Sequence, residues 1–409
     1  MTPAPRLPPG ALAPPRAVRR LARALLVFTV ASLPLSISGM QIGIVALAVL
    51  ALGARLAGRG VARATPLDGA LAVFFGTLVV STLASGRPLE AGGWDRPWIV
   101  VGYFGVYWWL EDRAHARRLA LVLIAAGAVA GAYGILQHHT GADWYREALG
   151  RPTRVRPRLE GAAGFAVVGF FKNYLTYAHA MIFPLAFATT FALGGARWAW
   201  VAAGLLVTAI AYSTARGVWL ALGASALVLA GVGRRRALAG LAGLIALAGV
   251  VAALSPGLRA QAEPIFTLGG ANAGRIAIYR ANLDIVRDHP LLGLGFGRYR
   301  TAARPYYDAW PAADRRSHAH SNLLQLAAEA GLLGLAAFCL LFAVVLRLGW
   351  EAIAAAPDAG AWSTAAGAWV AVCAFLLAGL TQYNFGDNEV ATAMWVTVAL
   401  LVACRDDAR

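Results

Sequence analysis

Lysine is nearly absent from this chain: Lys172 is the only one among 36 basic residues, and the rest are arginine. Acidic residues number 20, which leaves a formal net charge of +16. Charged residues of both signs make up only 14% of the sequence, against roughly 25% in ordinary soluble domains. That shortage excludes a conventional water-facing surface. Cysteine is limited to Cys339, Cys373 and Cys404, each inside an apolar run and none at metal-ligand spacing. They read as packing residues, with no disulfide framework. No internal repeat is visible, and no low-complexity tract occurs beyond the Pro-rich start. The basic charge has no nucleic-acid module around it. It lies in short loops between apolar runs, where anionic lipid headgroups are the fitting partner. The Ala, Gly and Arg excess also fits a GC-rich genome, so the total charge alone assigns no function.

What the chain does have is hydrophobic length. It is 59% hydrophobic with a mean hydropathy of +0.62. Apolar runs near twenty residues recur throughout, and such runs cross a bilayer as helices. The sequence predicts an all-α integral membrane protein of about twelve spans, at 22–39, 41–57, 67–86, 97–110, 118–137, 173–194, 197–214, 217–233, 237–254, 331–348, 362–382 and 389–404. Residues 1–21 then form a basic tail and 405–409 a short second tail. The span at 97–110 is short and aromatic, with Trp98, Tyr103, Tyr107, Trp108 and Trp109 suited to the interfaces.

Arginines in short loops orient the spans. With the amino terminus inside, the inner loops receive Arg55, Arg59 and Arg63, then Arg113, Arg117 and Arg118, then Arg197, then Arg234, Arg235 and Arg236, then Arg347. Two long segments, 138–172 and 255–330, fall outside, with short turns near 87–96, 215–217 and 383–388. Segment 255–330 opens on a helix stop at Ser255-Pro256-Gly257. Helical spacing of Ile276, Ile278, Tyr279, Leu283 and Ile285 predicts a helix over 275–288, broken by Pro290 and the glycines Gly293, Gly295 and Gly297. Residues 320–330 read as a further helix. The glycine string lacks the spacing and the βαβ setting of a nucleotide loop.

Three outer features carry potential chemistry. His318 and His320 offer neutral imidazoles able to take a proton from a sugar hydroxyl, or they cap a helix beside Ser321 and Asn322. Arg216 lies in a turn too short for a soluble loop; it can grip a lipid diphosphate at that depth or snorkel without function. Arg275, followed by Arg280 and Arg287, can neutralise phosphate charge or form a solvated helix face. Asp387 and Glu389 make a D-x-E, for which a structural role near His320 or Arg216 is expected rather than a hard-ion site.

His320-Ser321, nine residues, then Gly331-x-x-Gly334 resembles the signature of the O-antigen ligase and polymerase superfamily. Arg275-Ile-Ala-Ile-Tyr279 leading to Asp288-His289-Pro290-Leu-Leu-Gly293 is similar to that family's segment upstream of the His. Ser213-Thr214-Ala215-Arg216-Gly217 resembles its serine-arginine-glycine turn, with alanine where serine is common. Gly169-Phe170-Phe171-Lys172-Asn173 resembles its stretch before a central helix. The matches keep their order from about 170 to 334.

The resemblance implies a GT-C-like membrane glycosyltransferase that needs no metal or other cofactor. Its donor would be a glycan on undecaprenyl diphosphate and its acceptor the lipid A-core of lipopolysaccharide. Catalysis would take place at the periplasmic face of a bacterial inner membrane. His320 corresponds to the family's essential His, and Arg216 and Arg275 to its essential arginines. Arg280, Arg287, His318, Lys172 and Asp387 are expected to bind substrate. Arg154, Arg156 and Arg158 join Lys172 as candidates for acceptor phosphates. His179, near the outer end of its span, is read as a helix contact. A glycan polymerase and a protein O-oligosaccharyltransferase share these motifs. A twelve-helix secondary transporter is the non-enzyme alternative, disfavoured because ionisable residues gather at one face rather than mid-span.

Overall fold

The structure is a computed structural model that describes residues 12–87, 97–157, 164–232, 271–310 and 318–406. Arg158, the Arg234–Arg236 run, the span predicted at 237–254 and the helix stop at Ser255 lie outside the described residues.

Twelve helices of nine residues or more are described. The first five are α1 (Arg16–Leu35), α2 (Ile37–Leu56), α3 (Asp68–Ala84), α4 (Val101–Trp109) and α5 (Arg113–Thr140). Then come α6 (Tyr174–Leu193), α7 (Trp198–Tyr212), α8 (Arg216–Val232) and α9 (Ala271–Asp288). The last three are α10 (Asn322–Ala354), α11 (Ala359–Ala378) and α12 (Asn388–Asp406). The two described strands, β1 (Arg156–Pro157) and β2 (Phe165–Ala166), pair antiparallel. Among the described residues, six helices are long and apolar enough to cross a membrane: α2, α5, α6, α10, α11 and α12. Helices α3 and α7 are apolar but shorter.

Local chemistry sets the ends. Short polar side chains accept from the N–H three residues on: Ser36 before α2, Asp112 before α5, Asn173 before α6 and Asp358 before α11. Gly141 closes α5 in the left-handed conformation. The apolar window of α6, like that of α12, is 94% buried, against 39% in α2. Helices α6 and α12 are therefore the centre of the bundle, and α2 is part of its rim. Close approach comes from small residues: a Cβ on Gly127 of α5 would strike Pro184 of α6, and one on Gly131 would strike Leu205 of α7.

Several elements depart from the sequence expectation. Helix α1 starts at Arg16, not 22, so the basic tail is partly helical. Its arginines stay at the water side while Ala22 and Leu26 bury inward, and Arg23 pairs with Glu111 at 2.6 Å. The 97–110 span is a 3-10 turn at Pro97–Val100 followed by the nine-residue α4. At about 1.5 Å per residue, α4 alone is less than half of a bilayer core. The helix expected at 320–330 and the span expected at 331–348 run on as α10, broken at Gly331 (φ 68°, ψ −172°).

That break receives the Pro290–Gly297 stretch. The N–H groups of Leu332 and Leu333, released from the helix ladder, donate to the carbonyls of Pro290 (2.8 Å) and Leu291 (3.3 Å). In return Leu294 and Gly295 donate to Ala328 (2.9 Å) and Glu329 (3.0 Å). A Cβ at 331 would overlap the Leu291 carbonyl, and one at 293 would overlap the Glu329 backbone, so both positions need glycine. Ser81 of α3 fastens the same stretch, donating to Leu292 O at 2.7 Å and accepting from Phe296 N at 3.1 Å. Behind it, Ile278, Ala281, Ile285, Tyr299 and Tyr307 form a second core with Ala319 and Ala328. Residues 271–310 and 318–320 are thus a packed cap seated on one end of the bundle, the site face. The opposite face holds the Arg23–Glu111 pair and the Arg405–Glu351 pair (2.9 Å).

Candidate active site

One turn, residues 379–389 between α11 and α12, touches nearly every segment that the sequence singled out. From α10, Asn322 donates its backbone N–H to Gly379 O (2.7 Å) and its side-chain amide to Asn384 Oδ1 (2.7 Å), and its Oδ1 accepts from Phe385 N (3.1 Å). Two residues earlier, His320 Nδ1 lies 2.8 Å from Gln382 Oε1. From α8, Gly217 packs so closely on Thr381 that a Cβ there would strike its hydroxyl. From α6, Thr176 Oγ1 donates to Asp387 Oδ2 at 2.6 Å.

Arg216 is the first residue of α8 and adjoins Gly217, so it flanks the same turn as His320. Its side chain is half-buried and makes no hydrogen bond or ion pair among the described residues. It also stands at a helix N-terminus, where the backbone dipole favours anions. Arg275 enters from the cap. One helical turn along α9 from it, Tyr279 donates its hydroxyl to the carbonyl of His320 at 3.3 Å. Burial pushes the Tyr279 phenol up, and the nearby Arg275 charge opposes that shift. His320 and the Arg216–Gly217 pair thus adjoin the same turn, and Tyr279 ties the helix that carries Arg275 to the backbone of His320.

Two non-glycine residues in the described chain have positive φ, and both are here: His320 (φ 53°) and Thr214 (φ 67°), two residues before Arg216. Left-handed backbone costs a branched or bulky residue free energy, and such strain concentrates at functional positions. His318 is part of the same corner. Its Nδ1 accepts from His320 N (3.3 Å), and the two rings are 4.3 Å apart.

The remaining candidates separate. Arg280 is exposed, with its guanidinium stacked over Trp310 at 5.2 Å. Arg287 is exposed and lies three turns beyond Arg275 on α9, roughly 18 Å along the axis. Arg287→Ala is expected to leave transfer within about twofold of wild type, whereas Arg275→Ala is expected to cost at least about tenfold. Initial rates on the two variants check this. Lys172 is exposed, its ammonium 4.0 Å from Glu389, beside Asp387. His179 is buried, and its Nδ1–H donates to Leu175 O at 2.7 Å, a contact within α6. Among the described residues, no three His, Cys, Asp or Glu side chains gather as a metal would require.

A second basic patch is built on the 141–157 loop. Buried Asp143 organises it, accepting from Tyr133 Oη (3.0 Å), Gln137 Nε2 (3.4 Å) and Arg154 N (3.1 Å). Arg154 donates to Phe171 O at 3.3 Å, next to Lys172. Burial, then the neighbouring Arg146 charge, hold its guanidinium below the usual arginine range. Arg156 in β1 is exposed. His138, at the end of α5, stacks on Tyr212 of α7 at 3.8 Å, four residues before Arg216.

Residues 201–339 match the family model described as O-antigen ligase. The likeness to the O-antigen ligase family covers that segment, about a third of the chain. The match runs from α7 through the first half of α10 and includes Arg216, Arg275, His320, Gly331 and Gly334. Gln382, Asp387 and Lys172 lie outside it. No curated protein matches the chain. The O-antigen ligase match bears out the superfamily resemblance seen in the motifs. Sequence reasoning missed Gln382, Tyr279 as a contact of His320, and the Asn322–Asn384 clamp. Amides and phenols in apolar surroundings carry no spacing signal of their own, and the 62-residue separation hides the contact.

Proposed function

We propose that this protein is an O-antigen ligase that moves a glycan from undecaprenyl diphosphate to the lipid A-core at the periplasmic face of the inner membrane. One observation carries the reading. Inside the family-matched segment, an imidazole whose Nδ1 is engaged borders the same turn as a guanidinium with no hydrogen bond or ion pair among the described residues.

The chemistry follows from that pairing. Nε2 of His320 takes the proton of an acceptor hydroxyl. The hydroxyl oxygen bonds to the anomeric carbon of the donor sugar from the side opposite the diphosphate. The carbon–oxygen bond to phosphate breaks, its electron pair leaves with the undecaprenyl diphosphate, and the anomeric configuration inverts. Arg216 and Arg275 stabilise the charge that grows on the leaving diphosphate. His318 and Asp387 position neighbouring groups, and Lys172, Arg280 and Arg287 interact with the glycan or acceptor away from the bond that breaks.

A phosphate-bearing acceptor is supported by Arg154, held on Phe171 O next to Lys172, with Arg146 bonded to Pro152 O and exposed Arg156 on the same loop. A twelve-crossing, GT-C-like architecture is supported by eleven described helices other than α9, with the sequence-predicted span 237–254 as the twelfth. The chain from Pro97 to Trp109 counts among these crossings. Ile99 lies with Tyr383 and Phe385 on the site side, and Trp109 donates to Leu47 O at 3.1 Å further down. The basic loops Arg55–Arg63 and Arg113–Arg118 sit opposite the cap, which supports a periplasmic cap by the positive-inside tendency.

The test is transfer by the purified full-length protein from a polyprenyl-diphosphate oligosaccharide to lipid A-core, to a second donor molecule, or to a protein hydroxyl. Product on lipid A-core alone is expected. Product on a second donor would make the protein a polymerase, and product on protein an oligosaccharyltransferase. Ion-coupled uptake without transfer would make it a transporter. Turnover unchanged in excess EDTA is expected as well, and loss restored by magnesium or manganese would overturn the metal-independent mechanism.

A further inference from the structure

Gln382 belongs to none of the sequence patterns, yet its Oε1 lies 2.8 Å from Nδ1 of His320. We infer that Gln382 is a positioning residue that holds the His320 imidazole as the Nδ1–H form and so leaves the lone pair on Nε2. The inference rests on the reading of His320 as the base.

An amide oxygen only accepts, so the ring nitrogen facing it carries the hydrogen. In a neutral imidazole the other nitrogen is then the basic one. The register of this bond is enforced nearby. Asn322 and Asn384, each 2% exposed, pair at 2.7 Å with the same chain offset as His320 and Gln382. Asn384 also donates its backbone N–H to Gln382 O at 2.9 Å and its amide to Phe375 O at 2.9 Å. The left-handed turn at His320 sits directly before Ser321, the N-cap of α10, so the imidazole is thrown toward the turn rather than along the helix.

A neutral orienting group fits the substrate proposed above. A carboxylate at this place would make the imidazole more basic but would put negative charge beside a diphosphate. Among the described residues, the charged and titratable groups near His320 come from four elements. His318 lies on its own segment, Tyr279 and Arg275 come from α9, Arg216 comes from α8, and Tyr383, Asp387 and Glu389 come from the turn, with Lys172 beyond. The Asp387 carboxylate is turned to Thr176, and Tyr279 bonds the His320 carbonyl.

The experiment compares full-length wild type, Gln382→Glu and Gln382→Met, with His320→Asn as reference. One readout is kcat/KM against pH for transfer from a polyprenyl-diphosphate oligosaccharide to lipid A-core. The other needs no substrate: the ring ¹⁵N shifts of histidine-labelled protein, assigned by difference from His320→Asn. Wild type is expected to carry its hydrogen on Nδ1. In Gln382→Met that hydrogen moves toward Nε2 and kcat falls about tenfold, the worth of one hydrogen bond. In Gln382→Glu the acidic limb of the profile moves up by about one pH unit or more, because an opposite charge favours the imidazolium, while KM for the donor rises. A Gln382→Glu profile superimposable on wild type, or Gln382→Met ring shifts unchanged from wild type, overturns the inference. Full activity in His320→Asn would instead sink the functional reading, and the ring shifts would still judge Gln382 by themselves.

Discussion

Replacing His320 is expected to cut transfer about 10²–10⁴-fold while leaving donor binding largely intact, the range that general-base assistance supplies. Alanine is the blunt version of this test, because residue 320 has φ 53°, where alanine is strained. His320→Asn is the sharper one, since asparagine tolerates the left-handed region better than most residues and lacks a basic nitrogen. Both variants should fold. Ser321 caps α10 and Asn322 clamps the turn without help from the imidazole. Single-turnover rates with bound donor, beside a thermal melt, separate lost chemistry from lost structure. Wild-type rates in His320→Asn would remove the base from the mechanism.

Arg216→Ala is expected to lower kcat about 10²–10³-fold, the usual cost of losing one well-placed stabiliser of transition-state charge. The side chain is half-buried and makes no hydrogen bond or ion pair among the described residues, so truncation leaves no protein group stranded there. Arg216→Lys is expected to recover only a minor part, because an ammonium cannot make the planar two-point contact that a guanidinium makes with phosphate. A rise in KM with kcat unchanged would mean that Arg216 binds the donor equally in the ground and transition states. An effect below twofold would reduce it to a residue of the membrane surface.

The legible parts of this molecule were those with a period or a fixed spacing. Apolar length announced the long helices, and the 3.6-residue pattern of Ile278, Tyr279 and Ile285 announced α9. The His320–Gly331–Gly334 spacing is a local property of one helix, and its reason is now physical: Gly331 is the break that accepts the Pro290–Leu291 carbonyls, eleven residues after the imidazole that the same helix start presents. What could not be read was pairing across distance. Arg275, Arg280 and Arg287 look alike in sequence. Only the packing of α9 on α10 turns Tyr279 toward His320, while Trp310 takes Arg280. Likewise Asp387 was expected near the catalytic groups on resemblance, and its carboxylate instead bonds Thr176, with Gln382 facing the histidine. The short α4 was obscured for another reason. Its aromatic richness mimics a span, and the count of residues alone does not reveal a 3-10 entry at Pro97.

The cap is fastened to α10 at two places, through Leu294 and Gly295 in its middle and through Ala319, which donates to Gln325 Oε1 at 2.7 Å, near its end. Between them Tyr299 donates to Asn282 of α9 at 2.9 Å and packs with Tyr307 under the same helix, so the platform beneath residue 320 is held by aromatic side chains as well as by backbone rivets.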